Sequence, residues 1–144
     1  RTAGQDDILA FRHSVCLSAD VTAAYDPTWA SAFEPMNGTY AGRGVAIFKY
    51  TGGGSKGSAS DACAELVSDI TRMLDNGSVA WQIGELGRLD LGGGGTIAKY
   101  VANRGIKVLD MGVPVLSMHS PFEVIHKNDL YMAYRAFSLF NNAQ

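Results

Sequence analysis

The chain has 144 residues, enough for one domain with a real core and too few for two comfortable ones. Hydrophobic residues make up 47% and charged residues 18%, the balance of a folded protein and not a disordered one. The formal net charge is -2 and no Lys/Arg cluster occurs, which argues against a nucleic-acid reader; no apolar run reaches membrane-spanning length.

Cys16 and Cys63 are the only cysteines and form no Cys-x-x-Cys pair, so neither a zinc knuckle nor a disulfide framework is encoded. Two free thiols suit a reducing cytoplasm. The opening Arg1-Thr2-Ala3-Gly4 resembles neither a signal peptide nor an initiator, so a piece of something longer is expected.

In chain order, residues 14–21 alternate around Val15, Leu17 and Ala19 and predict a buried strand ending at Asp20. Pro27 and Trp29 open a short irregular or helical stretch, and Pro35, Asn37-Gly38 and Gly42 mark residues 34–43 as loop. Residues 45–51 read as a strong strand, ended by the Gly/Ser run 52–58. A helix is expected next, with Ser60 as N-cap and Asp61 in its first turn. Its apolar positions are Ala62, Leu66, Ile70, Met73 and Leu74, and Asn76-Gly77 is its stop. Residues 79–83 read as a short strand.

Gly92 to Gly95 then lead into a helix over about 96–103. Residues 106–111 and 113–118 are two strand candidates separated by Gly112. Residues 129–140 close the chain as an amphipathic helix carrying Leu130, Ala133, Tyr134, Phe137 and Phe140, with Lys127, Asn128 and Asp129 as its solvated start. Alternating strands and helices imply a layered α/β/α sheet with helices on both faces. Ligands bind such sheets beyond the C-terminal strand ends, where Asp20 and His119 are both expected.

Taken singly, an acid at a strand end is ordinary turn or capping chemistry, and a lone histidine after an apolar strand is ordinarily structural. Their spacing does not define a metal motif. The run Gly52-Gly53-Gly54-Ser55-Lys56-Gly57 fits G-x-G-x-x-G between a strand and a helix, with Glu85 where a ribose-binding acid would be sought. Its helix begins only after the motif, which weakens the dinucleotide reading. Gly92 to Gly95 lack a following Lys-Ser/Thr, and no nucleophile elbow is present.

Two stretches carry more. Ser18-Ala19-Asp20, and Leu109-Asp110-Met111-Gly112-Val113-Pro114-Val115-Leu116-Ser117-Met118-His119-Ser120, resemble the C-terminal half of the aspartyl aminopeptidase and vacuolar aminopeptidase I family. Gly94-Gly95-Thr96-Ile97 is similar to its Gly-Thr-Ile loop, and residues 42–50 and 79–84 resemble its bacterial branch. The resemblance covers nearly the whole chain and implies that residues 1–144 form the C-terminal part of one metallopeptidase catalytic domain.

It further implies a dinuclear zinc aminopeptidase in which Asp20 ligates one zinc and His119 the other, both being normal zinc donors. Lys49, Gly94 and Met118 are the implied substrate-binding residues. The family's remaining His, bridging Asp and Glu ligands, and the Glu that serves as general base, lie in an N-terminal half outside this sequence. Glu34, Glu65, Glu85 and Glu123 match other parts of the family, so no catalytic base is assigned here. Ala23, Ala24, Tyr25 and Asp26 stand where eukaryotic members carry histidines, and Gly57-Ser58-Ala59-Ser60 replaces their Arg-Tyr-Ala-Thr. Preference for acidic or neutral N-terminal residues stays open. Peptide substrates, the complementary half and a large homo-oligomer are the implied partners. The alternatives are a nucleotide-binding module on Gly52 to Gly57 and a non-catalytic assembly subunit.

Overall fold

The computed structural model describes residues 7–51, 60–88 and 91–143. The Gly52 to Gly57 run therefore lies outside the described residues. The organising element is one long strand, β6 (Lys107–Leu116), buried over Val108 to Val115. It pairs in parallel with β1 (Val15–Ala23) on one side. On the other it pairs antiparallel with β2 (Val45–Phe48), which pairs in parallel with β5 (Trp81–Ile83). A short strand, β7 (Val124–Ile125), folds back antiparallel on the end of β6 and completes a mixed five-stranded sheet.

The register sorts the residues of this sheet into two faces, because side chains alternate along a strand. Leu109, Met111 and Val113 face the same way as Val45 and Ile47, and with Leu17 they meet the helices α2 (Ala64–Asn76) and α4 (Lys127–Asn142). α2 contributes Leu66, Ile70 and Leu74 at four-residue spacing, a single buried stripe. Ser18, Asp20 and Thr22 lie on the opposite face, where Asp110 and Phe48 also turn. α3 (Ala98–Ala102), anchored by fully buried Ala98, packs against β6 apart from the main core. A short helix, α1 (Asp7–Arg12), precedes β1. The layered α/β architecture expected from the sequence stands.

Several element boundaries differ from the sequence reading for identifiable reasons. Ser60 and Asp61 do not cap a helix. They form β4 (Ser60–Asp61), paired antiparallel with β3 (Tyr50–Thr51), and the Ala62 N–H donates to the Lys49 carbonyl at 2.8 Å. Backbone pairing thus takes up the groups a cap would have used, and α2 starts at Ala64 behind Cys63. The same pairing splits the expected strand 45–51 into β2 and β3, in separate sheets. Gly112 does not separate two strands; β6 passes straight through it. Asp20 is not at the end of its strand, since β1 continues to Ala23. Leu130 and Tyr134 of α4 face solvent.

The largest correction concerns Asp129, expected to be solvated. It is fully buried, and its two carboxylate oxygens accept the Gly42 N–H at 2.7 Å and the Gly44 N–H at 2.8 Å. Gly44 has φ +97, and a β carbon there would lie 2.1 Å from the Ala80 carbonyl oxygen, so only glycine lets this turn enter β2. Asp129 ties that turn to the start of α4 in the way a cap ties a helix end. Asp129→Ala should cost about 3 kcal/mol, because it strands two N–H groups, one of them buried. Lys127→Ala, exposed two residues earlier, should cost under about 0.5 kcal/mol. Urea midpoints of the two variants check this.

Candidate active site

β1 and β6 approach unusually closely at Asp20. A β carbon at Gly112 would sit 1.2 Å from the Asp20 carbonyl oxygen, so no other residue fits opposite it. This close approach fixes the position of Asp20 along the sheet. Its side chain is solvent-accessible, and Oδ1 accepts the Val21 N–H at 2.7 Å, which orients the carboxylate. His119 arrives from the far end of β6, in the connection to β7, with φ +68.

Asp20 and His119, far apart in sequence, line one cavity of about 150 Å³. Gly94 and Met118, implied as substrate contacts, line it too. Within the four-glycine run the roles divide. Gly92 closes a turn through its N–H to the Arg88 carbonyl at 2.6 Å and stands off the cavity, whereas Gly94 and Gly95 form part of the wall. A side chain at Gly95 would meet nothing within 4 Å, so the backbone there is open to a ligand.

Lys49 is not part of this wall. Its ammonium pairs with the Asp61 carboxylate, and both side chains are exposed. Its neighbours Phe48 and Tyr50 take the cavity positions instead. Two-residue alternation across Phe48-Lys49-Tyr50 was the available signal: whichever way the aromatics turn, the lysine turns the other.

The sequence reading also passed over Asp110. It is 3% exposed, lies in the cavity wall, and its Oδ1 has no hydrogen-bond partner among the described residues. Ser18 Oγ, its register neighbour, and Thr22 Oγ1 are buried and unpartnered in the same way. Three such atoms on one face of the sheet mark a surface whose polar demand is unmet within the described residues. Burial pushes the Cys16 thiol above its usual range, and the negative charge of Asp110 adds to the shift. Cys16 is thus poorly suited to act as a nucleophile.

The donor chemistry fits zinc in kind but not in number. Asp20 and His119 offer a carboxylate and an imidazole to the same cavity, both ordinary zinc donors. No cluster of three or more His, Cys, Asp or Glu side chains able to hold a metal occurs among the described residues. Among the described residues, Asp20 and His119 are thus two candidate donors at one cavity, fewer than a metal site needs.

Gly112→Ala should force β1 and β6 apart at Asp20 and cost about 3 kcal/mol or more, since the clash is with backbone and cannot be relieved by a rotamer. Amide exchange should accelerate in β1 around Val21 before it does in α2. A variant with unchanged urea midpoint and exchange pattern would mean that the strands tolerate the added methyl.

The family model described as aminopeptidase I zinc metalloprotease (M18) matches residues 2–141. A probable M18 family aminopeptidase 1 of Borreliella burgdorferi is 49% identical over 131 residues, 91% of this chain and 29% of that protein. Among solved structures, aminopeptidase I from Clostridium acetobutylicum gives a TM-score of 0.89 at 41% identity, over 94% of this chain and 30% of that one. The M18 aminopeptidase of Thermotoga maritima gives 0.87 at 42% identity, over 92% and 29%. The chain thus spans less than a third of the length of these relatives.

Proposed function

Because this chain belongs to the M18 family of aminopeptidase I zinc metalloproteases, we propose that it forms part of a zinc aminopeptidase that removes N-terminal residues from peptides. The observation that carries the reading is the meeting of Asp20 and His119 in one cavity beside the Gly94-Gly95 loop. In this reading Asp20 holds one zinc and His119 a second. The other ligands and the general base come from the part of the enzyme that this chain does not contain. Zinc, when bound, would polarise the scissile carbonyl and lower the pKa of water enough to yield a hydroxide nucleophile near neutral pH.

The chain's own residues do the rest. The Val21 N–H fixes the Asp20 carboxylate in direction. Phe48, Tyr50 and Met118 form largely apolar wall that sheds water from around the reacting carbonyl, and open backbone at Gly95 admits a peptide chain closely. Lys49, paired with Asp61, does not line the cavity and is not assigned a substrate contact in this reading. Tyr131 and Tyr134, stacked on the exposed side of α4, offer apolar surface of the kind that a symmetric homo-oligomer would cover. Two free thiols, Cys16 and Cys63, favour a cytoplasmic setting. The relatives give no support to a nucleotide-binding module on Gly52 to Gly57.

A direct test replaces the matching segment of the Clostridium acetobutylicum enzyme with this chain. With zinc or cobalt, the chimera should hydrolyse aminoacyl p-nitroanilides, and the chain alone should not. Asp20→Ala or His119→Ala in the chimera should each lower turnover by more than about 100-fold, beyond the loss typical of residues that only support a ligand. Turnover by the isolated chain, or a chimera indifferent to His119→Ala, would count against the reading.

A further inference from the structure

His119 stands in the connection between β6 and β7, residues 117–123, whose ends are pinned by the pairs Val115↔Ile125 and Leu116↔Val124. Two residues in this short span have left-handed backbones, Ser117 at φ +58 and His119 at φ +68. Neither is glycine, and each such residue costs about 1–2 kcal/mol. A strained backbone of this kind persists only where its surroundings hold it. Packing does not hold it here: residues 119–123 are all exposed, Phe122 at 86%.

Hydrogen bonds remain. Ser120 N–H donates to the Ser117 carbonyl at 3.0 Å, and Ser120 Oγ donates to the Phe122 carbonyl at 2.6 Å. These tighten the turn around His119 without touching it. One bond acts on His119 itself: its backbone N–H donates to Glu123 Oε1 at 2.6 Å. It is short and charge-assisted, the stronger class of hydrogen bond. Glu123 lies immediately before β7, so the strand pairing that sets β7 also sets the carboxylate. Glu123 is not in the cavity wall.

We propose that Glu123 is the positioning residue of His119, holding its backbone left-handed so that the imidazole is directed into the cavity. The proposal rests on His119 being a metal ligand. In physical terms, the backbone N–H bond does from the main-chain side what a second-shell partner normally does from the free ring nitrogen: it removes orientations that cannot bind metal.

The test uses the chimera with the Clostridium acetobutylicum enzyme, labelled at histidine, with Glu123→Ala, Glu123→Gln and His119→Ala. Two quantities are read: the His119 amide shift with its HN–Hα coupling, which reports φ, and zinc affinity from titration of the chimera, in which the donor set is complete. Glu123→Ala should move the His119 amide upfield, change the coupling and weaken zinc binding about tenfold. Glu123→Gln keeps an acceptor oxygen at the same place and should restore most of both. Unchanged coupling and unchanged zinc affinity in Glu123→Ala would overturn the proposal. The His119→Ala control separates the two ideas. If it binds zinc with the affinity and stoichiometry of the parent chimera, the ligand assignment of His119 fails, while the coupling still decides whether Glu123 sets the loop.

Discussion

A β carbon cannot exist at position 112, because the Asp20 carbonyl already occupies its place. That close approach locks β1 against β6 in one register, and most of the remaining structure takes its position from β6. This strand pairs with β1, β2 and β7, and its apolar face carries the helix pair α2 and α4. A one-residue slip would exchange its two faces and send Leu109 and Met111 away from the helices. The same lock gives Asp20 its height on the sheet, and the far end of β6 delivers the connection that bears His119. Phe48 comes to the cavity by its pairing with Asp110 across β2 and β6. The cavity is thus largely a consequence of one strand and what it pairs with.

Polar groups distribute unevenly over that strand's two faces. The helix side is apolar and close-packed. The cavity side buries Ser18, Thr22 and Asp110 with atoms that have no partner among the described residues, each costing about 1–3 kcal/mol of desolvation. A fold held together only for stability would fill these positions with apolar side chains. Retaining them on the cavity face is the pattern of a surface that gains its partners on binding, whether from water, substrate or further polypeptide. The partial donor set points the same way, since two donors do not converge enough binding energy to hold zinc firmly.

Much of the fold was legible in the sequence because burial writes itself as periodicity. Leu66, Ile70 and Leu74 announced α2, and the apolar run before His119 announced β6. Misreadings arose where one residue type serves two physical ends. Gly112 looked like a break and is a close contact between strands. Ser60 looked like a cap and is a strand residue, because its backbone found a partner in Thr51. Asp129 looked solvated because its charge gave no hint of two amides waiting 85 and 87 residues upstream. At the site, Asp20, Gly94, Met118 and His119 came from resemblance to a family and not from spacing, and the structure gathers them around one cavity. Lys49 carried over from the same resemblance but falls outside it, a matter of side-chain alternation. Asp110 and Glu123 act through burial and a backbone N–H, and neither leaves a mark in composition.

The central claim is that the β1–β6 lock brings Asp20 and His119 to a common metal site. Anomalous diffraction at the zinc edge, from crystals of the M18 enzyme completed around this chain, tests it most directly. Two peaks should appear in the cavity, one within about 2.0–2.2 Å of an Asp20 oxygen and the other at the same range from a His119 nitrogen. Zinc bound away from both residues, or peaks that leave either side chain without a metal, would contradict the account.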